Sequence, residues 1–120
     1  MHAREQQSPE MRECLEECMA CHFVCLEMIE HCLAEGGAHA TPAHIRILTD
    51  CAEMCLTSAD FMLRGSSMHM KVCGVCADVC ERCAEDCARY TDDEYMQQCA
   101  LICLRCAQSC RRMSMLAAAA

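Results

Sequence analysis

The sequence predicts an all-α protein: an antiparallel, up-down-up-down four-helix bundle with a cysteine-lined core. Three observations predict it. In four stretches, thiols and apolar residues recur at steps of three and four, the period of one helix face. Helix formers such as Ala, Leu, Glu and Met dominate the 120 residues, β-branched residues are few, and the prolines are only Pro9 and Pro42. Three short connections rich in Gly, Ser and Thr separate the stretches, and short connections make successive helices antiparallel neighbours. The length suits a single domain, 1–120, with one modest core.

The first helix is expected over about 9–34. Ser8 is a natural N-cap and Pro9 fits the first helical position. Its inward seam reads Cys14, Cys18, Cys21, Cys25 and Cys32, with Met28 in the one vacant seam position and Met11 extending the seam backwards. Gly36-Gly37 ends it, either residue serving as the C-cap. Thr41-Pro42 starts the second helix, about 42–64, with the seam His44, Leu48, Cys51, Cys55, Ser58 and Met62. After Gly65, Ser66 or Ser67 caps a third helix, about 67–90, whose seam is His69, Cys73, Cys76, Cys80, Cys83, Cys87 and Tyr90. Thr91-Asp92 breaks the chain again, and Thr91 with Glu94 has the pattern of a capping box. The fourth helix, about 92–113, carries Met96, Cys99, Cys103, Cys106, Cys110 and Met113, and the alanine tail after Met115 is expected to fray. The pattern C-x₃-C-x₂-C-x₃-C occurs three times, at Cys14–Cys25, Cys76–Cys87 and Cys99–Cys110. All 16 cysteines fall on seams and none in a connection.

Composition excludes several classes. The formal charge is −8 and no basic stripe interleaved with aromatics exists, so nucleic acid is not the partner. No apolar run reaches membrane-spanning length. Residues 1–8 have no apolar signal-peptide core, which places the protein in the cytoplasm, where dense thiols stay reduced and act as metal ligands. No nucleophile–base pair, phosphate loop or paired carboxylates are evident, so an enzyme is not expected.

Thiols three or four apart on a helix stand about 5–6 Å apart at Cβ, close enough for two sulfurs to reach one ion. Few hard ligands share the seams, so the ion is soft: Cu(I), zinc or an iron–sulfur cluster. Zinc sites are usually closed tetrahedra built from separated pairs, and a continuous ladder has no such partition. Sixteen buried thiolates would repel one another strongly. Roughly one monovalent ion per thiolate cancels that charge, whereas Zn²⁺ at that ratio would leave a large positive excess. Multiple Cu(I) ions per chain follow as the expected cargo, with an iron–sulfur electron-transfer protein or a zinc or thiol sink as the alternatives. Iron–sulfur cysteines normally sit on wrapping loops, and pairs within one straight helix make poor disulfides.

The ends of the tube differ. One collects Met11, Met62, His69 and Met113, weaker neutral ligands suited to a mouth that passes ions inward. The other collects Cys32, His44, Tyr90 and Met96, with His44 a candidate capping ligand. Candidate metal ligands are therefore Cys14, Cys18, Cys21, Cys25, Cys32, Cys51, Cys55, Cys73, Cys76, Cys80, Cys83, Cys87, Cys99, Cys103, Cys106 and Cys110, with His44, His69, Met62 and Met113. A methionine at a seam end is more often core filler than ligand. His22 and His31 read as packing or surface residues, and His2 and His39 as exposed. Leu15, Met19, Leu26, Ile29 and Leu33 form an apolar flank that suits either a neighbouring helix or a subunit interface.

Three C-x₃-C-x₂-C-x₃-C ladders with a fourth helix carrying C-x₃-C at Cys51 and Cys55 resemble the bacterial copper storage proteins, over about Met11 to Met113. The resemblance implies a four-helix bundle that assembles as a homotetramer and holds many Cu(I) ions inside each protomer. It also implies a cytosolic store able to pass copper to a chaperone or copper enzyme, with His and Met near the core ends.

Overall fold

The structure is a computed structural model that describes residues 8–119, so His2 and the N-terminal stretch 1–7 lie outside the described residues. Among the described residues four α-helices follow one another: α1 (Pro9–Glu35), α2 (Pro42–Leu63), α3 (His69–Ala88) and α4 (Glu94–Ala119), with a 3₁₀ turn, Gly37–Ala40, between α1 and α2. Helix α1 packs against α2 and α4, and α3 against α2 and α4, so α1 faces α3 diagonally across the core. Cross-core contacts fix the directions. Cys14 meets Cys110, Cys32 meets His44, Ser58 meets Cys73 and Cys87 meets Cys99, each pairing the start of one helix with the end of the next or of its neighbour. That is the antiparallel up-down-up-down arrangement, closed by the α1–α4 contact.

The first two helices start as expected. The Ser8 hydroxyl accepts from the Met11 N–H at 3.1 Å, with Pro9 in the first turn. Thr41 accepts from His44 N–H ahead of α2. Gly36 ends α1 at φ +73°, a left-handed backbone that favours glycine, and its N–H bonds the Cys32 carbonyl.

The later boundaries move. Helix α3 begins at His69 and no serine caps it. Ser66 instead closes the preceding turn: its hydroxyl accepts from Met68 N–H and its carbonyl accepts from the His69 backbone and Nδ1. The helix stops at Ala88, two residues early, because Arg89 and Tyr90 donate to the carbonyls three residues back and tighten the last turn. The cap of α4 is Asp93, not Thr91: one carboxylate oxygen accepts from the N–H groups of Tyr95 and Met96. Gln97 then reaches back to the Ala88 and Tyr90 carbonyls left open at the end of α3. Helix α4 runs six residues past its expected end, through alanines that have the highest intrinsic helix propensity.

Small residues let the helices close around sulfur. Ala52 and Ala59 on α2, Ala77 and Ala84 on α3, and Ala100 and Ala107 on α4 are buried at seven-residue intervals beside the thiol seams. Between α3 and α4, Gly74 lies so close to Ser114 that a Cβ there would sit 3.0 Å from the serine hydroxyl. On the outside, Arg111 bridges to Asp78 and Glu81, and Arg112 to Glu13, exposed pairs of small energetic weight.

Candidate metal centre

Every cysteine is fully buried and every one is a free thiol. The seams that α-helical periodicity sets out in one dimension become a connected sulfur network in three. Along the α1–α4 wall, Cys18 lies 3.5 Å from Cys110 and 3.7 Å from Cys106, and Cys21 and Cys25 lie 3.7 and 3.8 Å from Cys103. Helices α1 and α2 meet through Cys21 and Cys51 at 3.6 Å, and α2 and α3 through Cys51–Cys80 and Cys55–Cys80 at 3.7 and 3.5 Å. Cys55 reaches diagonally to Cys106 at 3.7 Å. Metal–thiolate bonds of about 2.3 Å, as for zinc, let one ion bridge two sulfurs up to about 4.6 Å apart. These separations fall inside that reach without backbone movement.

Three groups of four thiols are mutually within 4.8 Å: Cys18, Cys76, Cys106 and Cys110; Cys21, Cys55, Cys80 and Cys106; and Cys21, Cys25, Cys51 and Cys103. The middle group draws one cysteine from each helix. Cys106 belongs to the first two and Cys21 to the last two, so the cages are fused through shared sulfurs rather than separate. Helix α2, with only two cysteines, contributes to two of the three.

The sulfur network shifts its own members in opposite directions: hydrogen bonds from neighbouring thiols pull Cys21, Cys51, Cys76 and Cys99 down against the upward push of burial. Hydrogen bonds to neighbouring thiols first, and then burial, push Cys55, Cys103 and Cys110 up, because the bonds hold the proton on the donor sulfur and the low-dielectric interior disfavours charge. Cys32 is pushed up to about 11 by burial and by the carboxylates of Asp93, Glu35 and Asp86 and the Cys99 thiol. At Cys73 the Cys110 thiol works downward, but Cys14 and burial outweigh it and bring the group to about 11.

The two ends differ as their sequences do. At one, His44 is buried with Nε2 3.4 Å from Cys32 Sγ, and Cys32 is 3.6 Å from the Met96 thioether. Nδ1 of His44 donates to the Asp86 carboxylate, which leaves the Nε2 lone pair facing the thiol. Burial alone would raise the Asp86 carboxyl, but the bonds from His44 and Arg89 hold it below the ordinary carboxylate range. Tyr90 packs over His44 at 4.6 Å between ring centres. At the other end Met62 and Met113 are buried and Met11 packs against the core. His69 is half-buried, its Nδ1–H bound to the Ser66 carbonyl, which leaves Nε2 as its free nitrogen. Ser58 stands in a seam position with its hydroxyl 3.4 Å from Cys73 Sγ. Met28 fills the vacant position of α1.

Asp86 was not evident from the sequence. It lies one residue off the α3 seam, and only its His44 partner on α2 gives it a role. His22 is a packing residue, its Nδ1 bonding the Ala52 carbonyl of α2 at 2.7 Å. His39 is not exposed as expected but half-buried against Asp93. The apolar flank of α1 divides: Leu15, Met19 and Ile29 pack against the core, while Leu26 and Leu33 are exposed.

The family model described as copper storage protein matches residues 7–115. The chain is 42% identical to the Nmul_A1745 protein of Nitrosospira multiformis, whose crystal structure superposes with a TM-score of 0.84 over 89% of this chain and 96% of that one. The Cu(I)-bound copper storage protein 3 of Bacillus subtilis (BsCsp3) is 32% identical, with a TM-score of 0.82 over 88% of this chain and 98% of that one. An uncharacterized cysteine-rich protein of Bacillus subtilis, YhjQ, is 34% identical over 54% of this chain, and the match spans 60% of that relative's length. Ladder spacing, bundle and these likenesses agree: the chain belongs to the copper storage protein family.

Proposed function

We propose that this chain stores and buffers Cu(I), binding roughly one ion per cysteine through thiolates inside the bundle. The fused cages carry the reading: Cys21 and Cys106 each serve two four-sulfur groups, so occupancy spreads along the tube rather than stopping at one closed site. Cu(I) accepts two or three soft ligands and tolerates sharing. Each ion that enters displaces about one thiol proton, so the buried core ends close to neutral. The Cu(I) carried by the related BsCsp3 supports the same cargo.

All 16 cysteines act as ligands in this reading, with His44 capping one end and Met62, Met113 and His69 passing ions inward at the other. The role is storage and not catalysis. Buried free thiols suit a reducing cytoplasm, from which copper passes to a chaperone or copper enzyme. The exposed Leu26 and Leu33 on α1 suit a contact in a homotetramer.

Anaerobic titration with Cu(I) against a strong chelator at neutral pH, with metal counted per chain, tests the proposal. About one ion per cysteine is expected. Saturation at one to four ions would contradict it. A brown protein with stoichiometric iron would replace it with the electron-transfer reading, and tight zinc uptake in place of Cu(I) would replace it with the zinc sink.

A further inference from the structure

Outside the thiol core, one cluster of metal-ligating side chains remains among the described residues: His31 near the end of α1, His39 in the 3₁₀ turn and Asp93 at the head of α4. We propose that these three bind a divalent transition cation of the Zn²⁺ class, chemically separate from the sulfur core, and that the ion ties together the two helical hairpins of the bundle.

The geometry is that of a site already assembled. Nε2 of His31 and of His39 both point at the same carboxylate oxygen of Asp93, at 2.6 and 3.0 Å. The other Asp93 oxygen is engaged by the backbone N–H groups of Tyr95 and Met96, so the carboxylate is fixed in orientation before any ligand arrives. Each imidazole packs against an aromatic ring. His31 packs on Tyr95 at 5.2 Å between ring centres and His39 on Tyr90 at 4.6 Å, and all three ligating side chains are mostly buried. Nitrogen and oxygen bonds of about 2.0–2.1 Å around a tetrahedral ion require the donor atoms to stand about 3.4 Å apart. The present spacing reaches that by side-chain rotations that move each atom less than about 1 Å.

The donor set decides the class of ion. Two imidazoles and one carboxylate are borderline-to-hard ligands, suited to Zn²⁺ and its divalent neighbours and poorly suited to Cu(I), which prefers sulfur. The cleft beside them, about 740 Å³ and lined by Glu35, Arg89 and Tyr90 among others, leaves room for water in the fourth position. Only three protein ligands and an open position distinguish this from a sealed structural zinc site. The cysteine next in sequence, Cys32, points the other way, into the core toward His44 and Met96.

The placement gives the ion mechanical leverage. His31 and His39 belong to the α1–α2 hairpin, and Asp93 belongs to the α3–α4 hairpin, 62 and 54 residues away in the chain. An ion held by all three cross-links the hairpins at the end of the bundle that holds Cys32 and His44.

The test uses the full-length chain with its thiols saturated by Cu(I), and compares Zn²⁺ binding by calorimetry with that of three single variants: His31→Gln, His39→Gln and Asp93→Asn. The asparagine retains an N-capping oxygen but not the charged donor. The wild type is expected to bind one additional Zn²⁺, and each variant to lose at least about tenfold in affinity, since even outer-shell changes cost that much. Zn²⁺ should raise the Tm of the wild type and not of the variants. His22→Gln, a histidine away from the cluster, should bind as the wild type does. Co²⁺ in place of Zn²⁺ should give visible d–d bands without thiolate charge transfer. In the wild type alone, Zn²⁺ should shift the ring resonances of His31 and His39. Variants that bind as well as wild type, a thiolate-to-cobalt band, or unshifted ring resonances would each overturn the proposal.

Discussion

Cys21 and Cys106 do more than their neighbours because each touches two cages. Replacing Cys106 with Ala should remove about two Cu(I) ions from the saturated chain, while Cys73→Ala, at the end of the ladder beside Ser58, should remove about one. Equal losses, read by metal counting, would mean that the cages are not fused in the loaded protein. Asp86 acts through His44: Asp86→Asn keeps the size but loses the carboxylate that sets the imidazole's tautomer. Cu(I) affinity at that end should fall about 10–100-fold with total capacity unchanged, measured by chelator competition. Burial and the nearby Asp93 carboxylate push the Cys32 thiol up to about 11 from its ordinary 9.0. A thiol raised in this way favours the folded state below pH 9 and withdraws that support as the pH climbs from 9 to 11. Urea unfolding of the metal-free chain should therefore show stability falling across that alkaline window, and a flat profile would remove Cys32 as a contributor. The seam cysteines were legible in the sequence because helical period alone aligns them. Asp86, Asp93 and the pairing of His31 with His39 were not, because their partners lie on other elements.

At the scale of helices, the mid-chain boundaries depended on which of several adjacent polar residues took the capping role. Ser66, Ser67, Thr91, Asp92 and Asp93 are all competent by residue type. Asp93 prevails at α4 because its second oxygen also receives two imidazoles from the α1–α2 connection. Ser66 spends its bonds on the turn before α3, so α3 starts without a side-chain cap. Gly74 marks the close approach of α3 and α4, where only the Ser114 hydroxyl stands in the way of a methyl group. A serine hydroxyl can rotate aside, so Gly74→Ala should raise stability by about 0.5–1 kcal/mol through the lower entropy cost of alanine in a helix. Thermal unfolding of the metal-free chain checks this, and a lower Tm would show that the two helices cannot accept the added methyl.

For the molecule as a whole, the metal-free chain should fold without copper. Its buried cysteines pack as small hydrophobic side chains, the alanines at seven-residue intervals close the walls, and no buried side-chain nitrogen or oxygen among the described residues lacks a hydrogen-bond partner. Far-UV circular dichroism should show a helical spectrum and a cooperative melt before any metal is added. Cu(I) should then raise the Tm by many degrees, because each site filled at about a hundred times its Kd adds about 2.7 kcal/mol to the folded state. Removal by a strong chelator should restore the lower transition. A metal-free coil, or a Tm indifferent to Cu(I), would contradict the proposed role.

The sequence by itself determined the four helices, the sixteen inward thiols, the soft-metal character of the core and the family resemblance. Each of these follows from residue type and helical period, which act along one chain segment at a time. Tertiary structure decided how the ladders fuse into cages, because sharing of Cys21 and Cys106 depends on the register between helices. It also decided which acids hold which histidines. Asp86 reaches His44 across 42 residues, and Asp93 reaches His31 and His39 across 62 and 54. Such pairings rest on the height at which antiparallel helices meet, and a local pattern of threes and fours carries no record of that height.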